Sequence, residues 1–143
     1  MAGILGNIAL ESGFRHNASN GSHYGYLQND SNIQKFIRSK YGGMEHSHQM
    51  QYLVDGLSGR LVTANKGLHN RFNNFLTAVR NVKDPKVAAN LWEKYYELSG
   101  GQGNGLRSNY AKYIYDRLVE DGLAFDNSDY DNLTMPTIEN LYG

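Results

Sequence analysis

Apolar residues recur along this chain at intervals of three and four, and that spacing commits it to helices. Met50, Leu53, Val54, Leu57 and Leu61 follow the rhythm that lays one apolar stripe along an α-helix. Leu68, Phe72, Phe75, Leu76 and Val79 repeat it. Val87, Ala88, Leu91, Trp92 and Tyr95 form a third stripe, launched by Asp84-Pro85 as N-cap and first-turn pair and stopped by Ser99-Gly100-Gly101. Leu106, Tyr110, Tyr113, Ile114 and Leu118 form a fourth, ended by Gly122. Ile4, Leu5 and Ile8 open the chain in the same way, with Gly13 as C-terminal cap. Ser31 and Gln34 have capping-box spacing and predict a short helix to about Lys40. No stretch alternates as a half-buried strand does, and no internal repeat occurs. The predicted fold class is mainly α with little or no β. Residues 13–30, rich in Gly, Asn, Ser and His, read as a structured loop rather than a strand pair.

The helical pattern fills residues 1–122, one domain able to bury a core without metal or disulfide. Cysteine is absent, which removes a disulfide framework and any thiolate metal site. Residues 123–143, with Asp126, Asp129, Asp131 and Pro136, read as a polar tail or linker. Fourteen basic residues balance fourteen acidic ones. Such a chain lacks the basic footprint of a nucleic-acid binder and has no attraction to an anionic membrane. No apolar run approaches the roughly 18 residues of a membrane span, and no basic-then-apolar start suggests a signal peptide in this chain. Eleven Tyr and sixteen Asn suit a surface that contacts sugars, with flat apolar faces beside neutral hydrogen-bonding groups. AT-rich coding produces the same excess.

Glu11 lies three residues after Ile8 and seven after Ile4, on the apolar stripe of the first helix and in its last turn. Burial and the negative end of the helix dipole both disfavour an ionised carboxyl. A glutamic acid protonated near neutral pH is what general-acid cleavage of a glycosidic bond requires. On spacing alone, a Glu reaching from the helix edge into solvent is the more ordinary reading.

The segment Gly3-Ile4-Leu5-Gly6-Asn7-Ile8-Ala9-Leu10-Glu11-Ser12-Gly13-Phe14 resembles the opening motif of phage tail lysozymes, relatives of goose-type lysozymes and soluble lytic transglycosylases. Gly25-Tyr26-Leu27-Gln28 resembles their second motif, which lines the cleft. Trp92 to Gly100, with Tyr95-Tyr96-Glu97, resembles the helix end that closes it, and Arg107 to Tyr115 the last helix. The resemblance spans roughly residues 3–118. It implies a lysozyme-like helical domain with a cleft, in which Glu11 is the catalytic acid and Ser12, Tyr24, Tyr26, Gln28, Tyr96 and Glu97 contact substrate. The implied substrate is bacterial peptidoglycan, cut at the β-1,4 bond between N-acetylmuramic acid and N-acetylglucosamine. The implied setting is the phage tail or the bacterial cell wall after release, with further domains of a larger phage protein as partners.

Physical reasoning supports parts of this set. Gly25 permits close approach of backbone to a ligand. Gln28 offers a donor and an acceptor to sugar groups, and Tyr24 and Tyr26 can stack on sugar rings or simply pack. Asp30 resembles the Asp that goose-type lysozymes place two residues after their motif Gln, and that resemblance implies it as the candidate base for water in an inverting hydrolysis, in which the carboxyls stand about 6.5–9.5 Å apart. It also reads as a helix cap, and then a lytic transglycosylase, whose substrate supplies its own 6-hydroxyl, is the alternative. Glu97 reads either as a cleft residue or as a partner of Arg107. A departure from the family pattern is Asn29, where many members carry Trp.

Other constellations carry less. His46 and His48 read as surface histidines near a helix start rather than a zinc site, and nothing calls for a cofactor. Gly100 to Gly105 lacks the preceding strand and the Lys of a phosphate loop and reads as a cleft-edge loop. A non-catalytic glycan-binding or structural virion domain is the competing class, and a costly buried acid argues against it.

Overall fold

The structure, a computed structural model, describes residues 1–120. It is mainly α. Helix α1 spans Ala2–Ser12, α2 Ser31–Tyr41, α3 His46–Leu57, α4 Lys66–Val79, α5 Pro85–Trp92 and α6 Asn104–Glu120. A single π-helical stretch, Glu93–Glu97, continues α5. No helix among the described residues is long and apolar enough to cross a membrane. Gly122 and residues 123–143 lie outside the described residues, as does the boundary expected there.

Helix α1 is the centre of the domain. Ala2 to Ile8 are buried without interruption, so the helix is covered on all sides rather than along one stripe. Two glycines allow this. A Cβ on Gly3 would stand 2.7 Å from the backbone of Ala88 and Ala89 in α5, and one on Gly6 2.7 Å from the Ala111 nitrogen and the Arg107 carbonyl in α6. Only a bare backbone lets three helices meet this closely.

Facing α1 through α5 is an aromatic core. Trp92 and Tyr96 stack at 4.4 Å with planes 9° apart, and Phe75 meets Trp92 edge-on at 4.9 Å. Tyr52 and Phe72 extend the cluster into α3 and α4. Each such pair adds about 0.5–1.5 kcal/mol beyond its buried area.

Several local expectations are corrected. The region read as loop contains a two-stranded antiparallel hairpin, Ser19–Asn20 (β1) against His23–Tyr24 (β2). Two-residue strands leave no alternation to detect, and Gly21 (φ 62°) supplies the turn. The cap of α2 is Asp30, whose carboxylate accepts from the Ile33 N–H at 3.0 Å, rather than Ser31. Gln34 closes no capping box and donates to the Ser22 and Asn29 carbonyls. Leu61 falls beyond the end of α3. At Gly25 (φ 90°) the close approach is made by protein: a Cβ there would meet Gln49 Oε1 at 2.3 Å.

Candidate active site

Helix α1 ends at a polar cleft of about 650 Å³, lined by Glu11 and Leu10 from α1, the hairpin and Gln28–Asp30, Arg71 from α4 and Tyr96–Ser99. The placement of Glu11 follows from the helix: Gly13 (φ 59°) stops α1 one turn past its buried segment and leaves Glu11 at the rim, its side chain about one-fifth exposed.

Glu11 is not held among apolar groups, contrary to expectation. Its Oε1 lies 2.7 Å from Nη1 of Arg107, a guanidinium only 4% exposed. The same nitrogen donates to Asn7 Oδ1 at 2.7 Å, and Nε donates to the Gln102 carbonyl at 3.0 Å. Asn7 in turn donates to the Gly3 and Ala89 carbonyls. One buried network therefore links α1, α5 and α6 to the carboxylate. The partner foreseen for Glu97 belongs to Glu11.

The carboxyl driven towards its neutral form is Glu97. Burial raises its pKa well above the ordinary value, and the charge of Glu11 raises it further; Arg107, the Trp92 indole and Arg71 oppose the shift. Trp92 Nε1 donates to Glu97 Oε1 at 3.2 Å. The π-helical stretch carries Glu97 to the cleft, and Leu98 in the left-handed region (φ 56°) ends it. Two carboxyls thus line one cleft in different surroundings, an arrangement that suits paired acid and base roles.

The remaining predicted site residues divide. Asp30 lines the cleft and caps α2 as well. Gln28 lines it, but its amide NH₂ donates to the Ala18 and Gly25 carbonyls, both at 2.9 Å, so it braces the loop. Tyr96 borders the cleft while buried; its hydroxyl donates to Asn29 Oδ1 at 2.6 Å and meets the Tyr52 hydroxyl at 2.6 Å. Asn29, where a Trp was the family expectation, is the acceptor that completes this chain. Three expected contacts are absent from the cleft wall. Ser12 is buried and donates to the Ile8 carbonyl. Tyr26 is buried with its hydroxyl 2.6 Å from His46 Nδ1. Tyr24 packs against the core, with Arg38 5.9 Å from its ring centre.

Sequence reasoning paired Arg107 with Glu97 instead of Glu11, and it missed Asn7, Arg71 and Glu93. A signal existed for the link between Asn7 and Arg107: Asn7 and Glu11 stand one turn apart on a buried helix and need a shared donor, which a guanidinium supplies. Buried Glu93 accepts from Ser99 Oγ at 2.8 Å and the Gly101 N–H at 2.6 Å, fixing the glycine-rich loop beside the cleft. His48 completes a capping box with Glu45, and no group of three potential metal ligands occurs among the described residues.

The described residues form a mainly helical domain with one polar cleft that the Glu11 and Glu97 carboxyls both line. The chain belongs to the phage tail lysozyme family, whose model matches residues 1–118. It is a lysozyme-like, peptidoglycan-acting protein of glycosidase type. No curated protein and no solved structure matches it.

Proposed function

We propose that the chain is a muramidase, hydrolysing the β-1,4 bond between N-acetylmuramic acid and N-acetylglucosamine in the Glu11–Glu97 cleft. Glu11, the acid of the family motif, protonates the leaving oxygen as the bond to the muramic acid carbon breaks. Water adds to that carbon and gives up its proton to a carboxylate, for which Asp30 is the candidate. The observation that carries this reading is the convergence of Glu11, Glu97 and Asp30 on one polar cleft.

A second assignment of roles has its own support. Glu97 is the carboxyl whose surroundings favour the proton, and Glu11 sits against a guanidinium. On that assignment Glu97 is the acid and Glu11 acts on water. Glu97→Gln then abolishes lysis as fully as Glu11→Gln does, whereas a supporting Glu97 leaves a measurable residue.

The products discriminate the chemistry. Mass spectrometry of digested walls gives reducing muramic acid ends for a hydrolase. Ends lighter by one water, the 1,6-anhydro form, overturn hydrolysis in favour of a lytic transglycosylase. Full hydrolysis by Asp30→Asn removes Asp30 from the mechanism and leaves it a cap. We assign catalysis to residues 1–122 and place the enzyme on the phage tail or at the host wall, within a larger phage protein.

A further inference from the structure

The even balance of charge in this chain conceals an uneven distribution. Residues 1–120 hold all fourteen Lys and Arg against nine acids, a net of +5; residues 121–143 hold the other five acids and no base, a net of −5. Opposite charges on tethered parts of one chain attract, most strongly at low salt. In the acidic segment Asp126, Asp129 and Asp131 precede Leu133, Met135, Ile138 and Leu141, so charge is followed by apolar side chains.

The helical domain carries a surface of complementary character. A pocket of about 600 Å³, distinct from the cleft, lies along α5 with Val87, Asn90, Leu91, Lys94, Leu98 and Gly101 in its walls. That volume falls within the range of ligand pockets, about 300–1,000 Å³. Val87 and Leu98 are 43% and 57% exposed, an apolar opening of the kind that marks an interaction site. Val87 and Leu91 stand one turn apart on α5, and Lys94 continues that face into the π-helical stretch. Lys86 stands one turn before Asn90. Lys86 and Lys94 are exposed, and neither makes an ion pair among the described residues.

We propose that this pocket is the docking site for the chain's own residues 131–143. Ile138 and Leu141 meet Val87, Leu91 and Leu98, and Asp131 and Glu139 meet Lys86 and Lys94. The reach suffices. Asn104, in the pocket wall, and Glu120 are the two ends of α6, about 25 Å apart. The fourteen residues between Glu120 and Met135 can extend to about 45 Å. Tethering holds the segment at a roughly millimolar effective concentration, so even a weak site is filled. Leu98 borders both the pocket and the cleft, so the docked segment braces the turn after Glu97 and leaves the cleft open to substrate.

Paramagnetic relaxation in the full chain tests the docking. The chain has no cysteine, so Asn140→Cys gives a single site for a nitroxide spin label. The amide signals of Leu91, Lys94, Leu98 and Gly101 should be lost, while those of α2, which packs against α3, should persist. Unchanged signals around the pocket, or losses along Leu106, Tyr110 and Tyr113 of α6 instead, overturn the proposal. A mixture of spin-labelled chains without isotope and isotope-labelled chains without nitroxide should show no loss. Loss in that mixture gives the pocket to a second copy and overturns docking within one chain. Two pairs of substitutions in the spin-labelled chain separate the forces. Ile138→Ser with Leu141→Ser changes only residues beyond the described helices and should restore the pocket signals. Lys86→Glu with Lys94→Glu, both on the surface, should restore them too. Losses undiminished by either pair overturn the proposal. The muramidase reading is judged by wall cleavage and stands or falls apart from these results.

Discussion

At the scale of single residues, the cleft is defined by what surrounds its carboxyls. Glu97 takes up a proton more readily in the folded chain than in the unfolded one, because burial and the Glu11 charge raise its pKa. A raised value in the fold means that stability is fully present below the ordinary glutamate pKa of 4.5 and is lost as pH rises through the raised one. The slope for one proton is at most about 1.4 kcal/mol per pH unit. Glu97→Gln cannot titrate, so thermal melts from about pH 5 to about pH 8 should show wild type losing stability relative to the variant as pH rises. Parallel melting curves contradict this. Glu11 was legible from its motif and its place at the end of a buried helix. Its surroundings were not, because the partner Arg107 lies far along the chain, and helical spacing reports a stripe without saying what covers it. For Tyr24 and Tyr26 residue type left stacking on sugars and packing both open; Tyr26 is part of the core with its hydroxyl against His46, and Tyr24 packs against that core.

At the scale of elements, contact between helices sets the geometry of the site. Gly6 lets α6 approach α1 until Arg107 reaches Glu11. Gly6→Ala should force the helices apart at a cost of about 1–3 kcal/mol, and it should lower wall-lysis activity because Arg107 moves with α6. A variant as stable and active as wild type refutes that coupling. The hydroxyl chain Tyr52–Tyr96–Asn29 ties α3 and the π-helical stretch to the loop that carries Gln28 and Asp30. Tyr96→Phe leaves Asn29 Oδ1 buried without its donor and should cost about 1–3 kcal/mol, measured by chemical denaturation. Helix positions were readable because apolar periodicity and caps such as Asp84-Pro85 are local signals. The hairpin and the π-helical stretch were not, since two-residue strands have no period and one extra residue in a turn leaves no composition mark.

At the scale of the whole molecule, α5 and α6 pack against α1, whose end borders the cleft, and the family match ends at residue 118. A chain ending at Gly122 should therefore keep wall lysis within about twofold of the full chain, a barrier change below about 0.5 kcal/mol. Loss of lysis on that truncation assigns residues 123–143 a part in the domain. Glu11 is the residue on which the proposed chemistry depends. Glu11→Gln removes the charge opposite buried Arg107, so its stability must be read beside its activity; a loss of about 1–3 kcal/mol is expected. The most direct measurement is the clearing of a cell-wall suspension by wild type and by Glu11→Gln, at a temperature where circular dichroism shows both folded. The account predicts that the variant clears the suspension at least about a hundredfold more slowly. Equal clearing by the two proteins contradicts it.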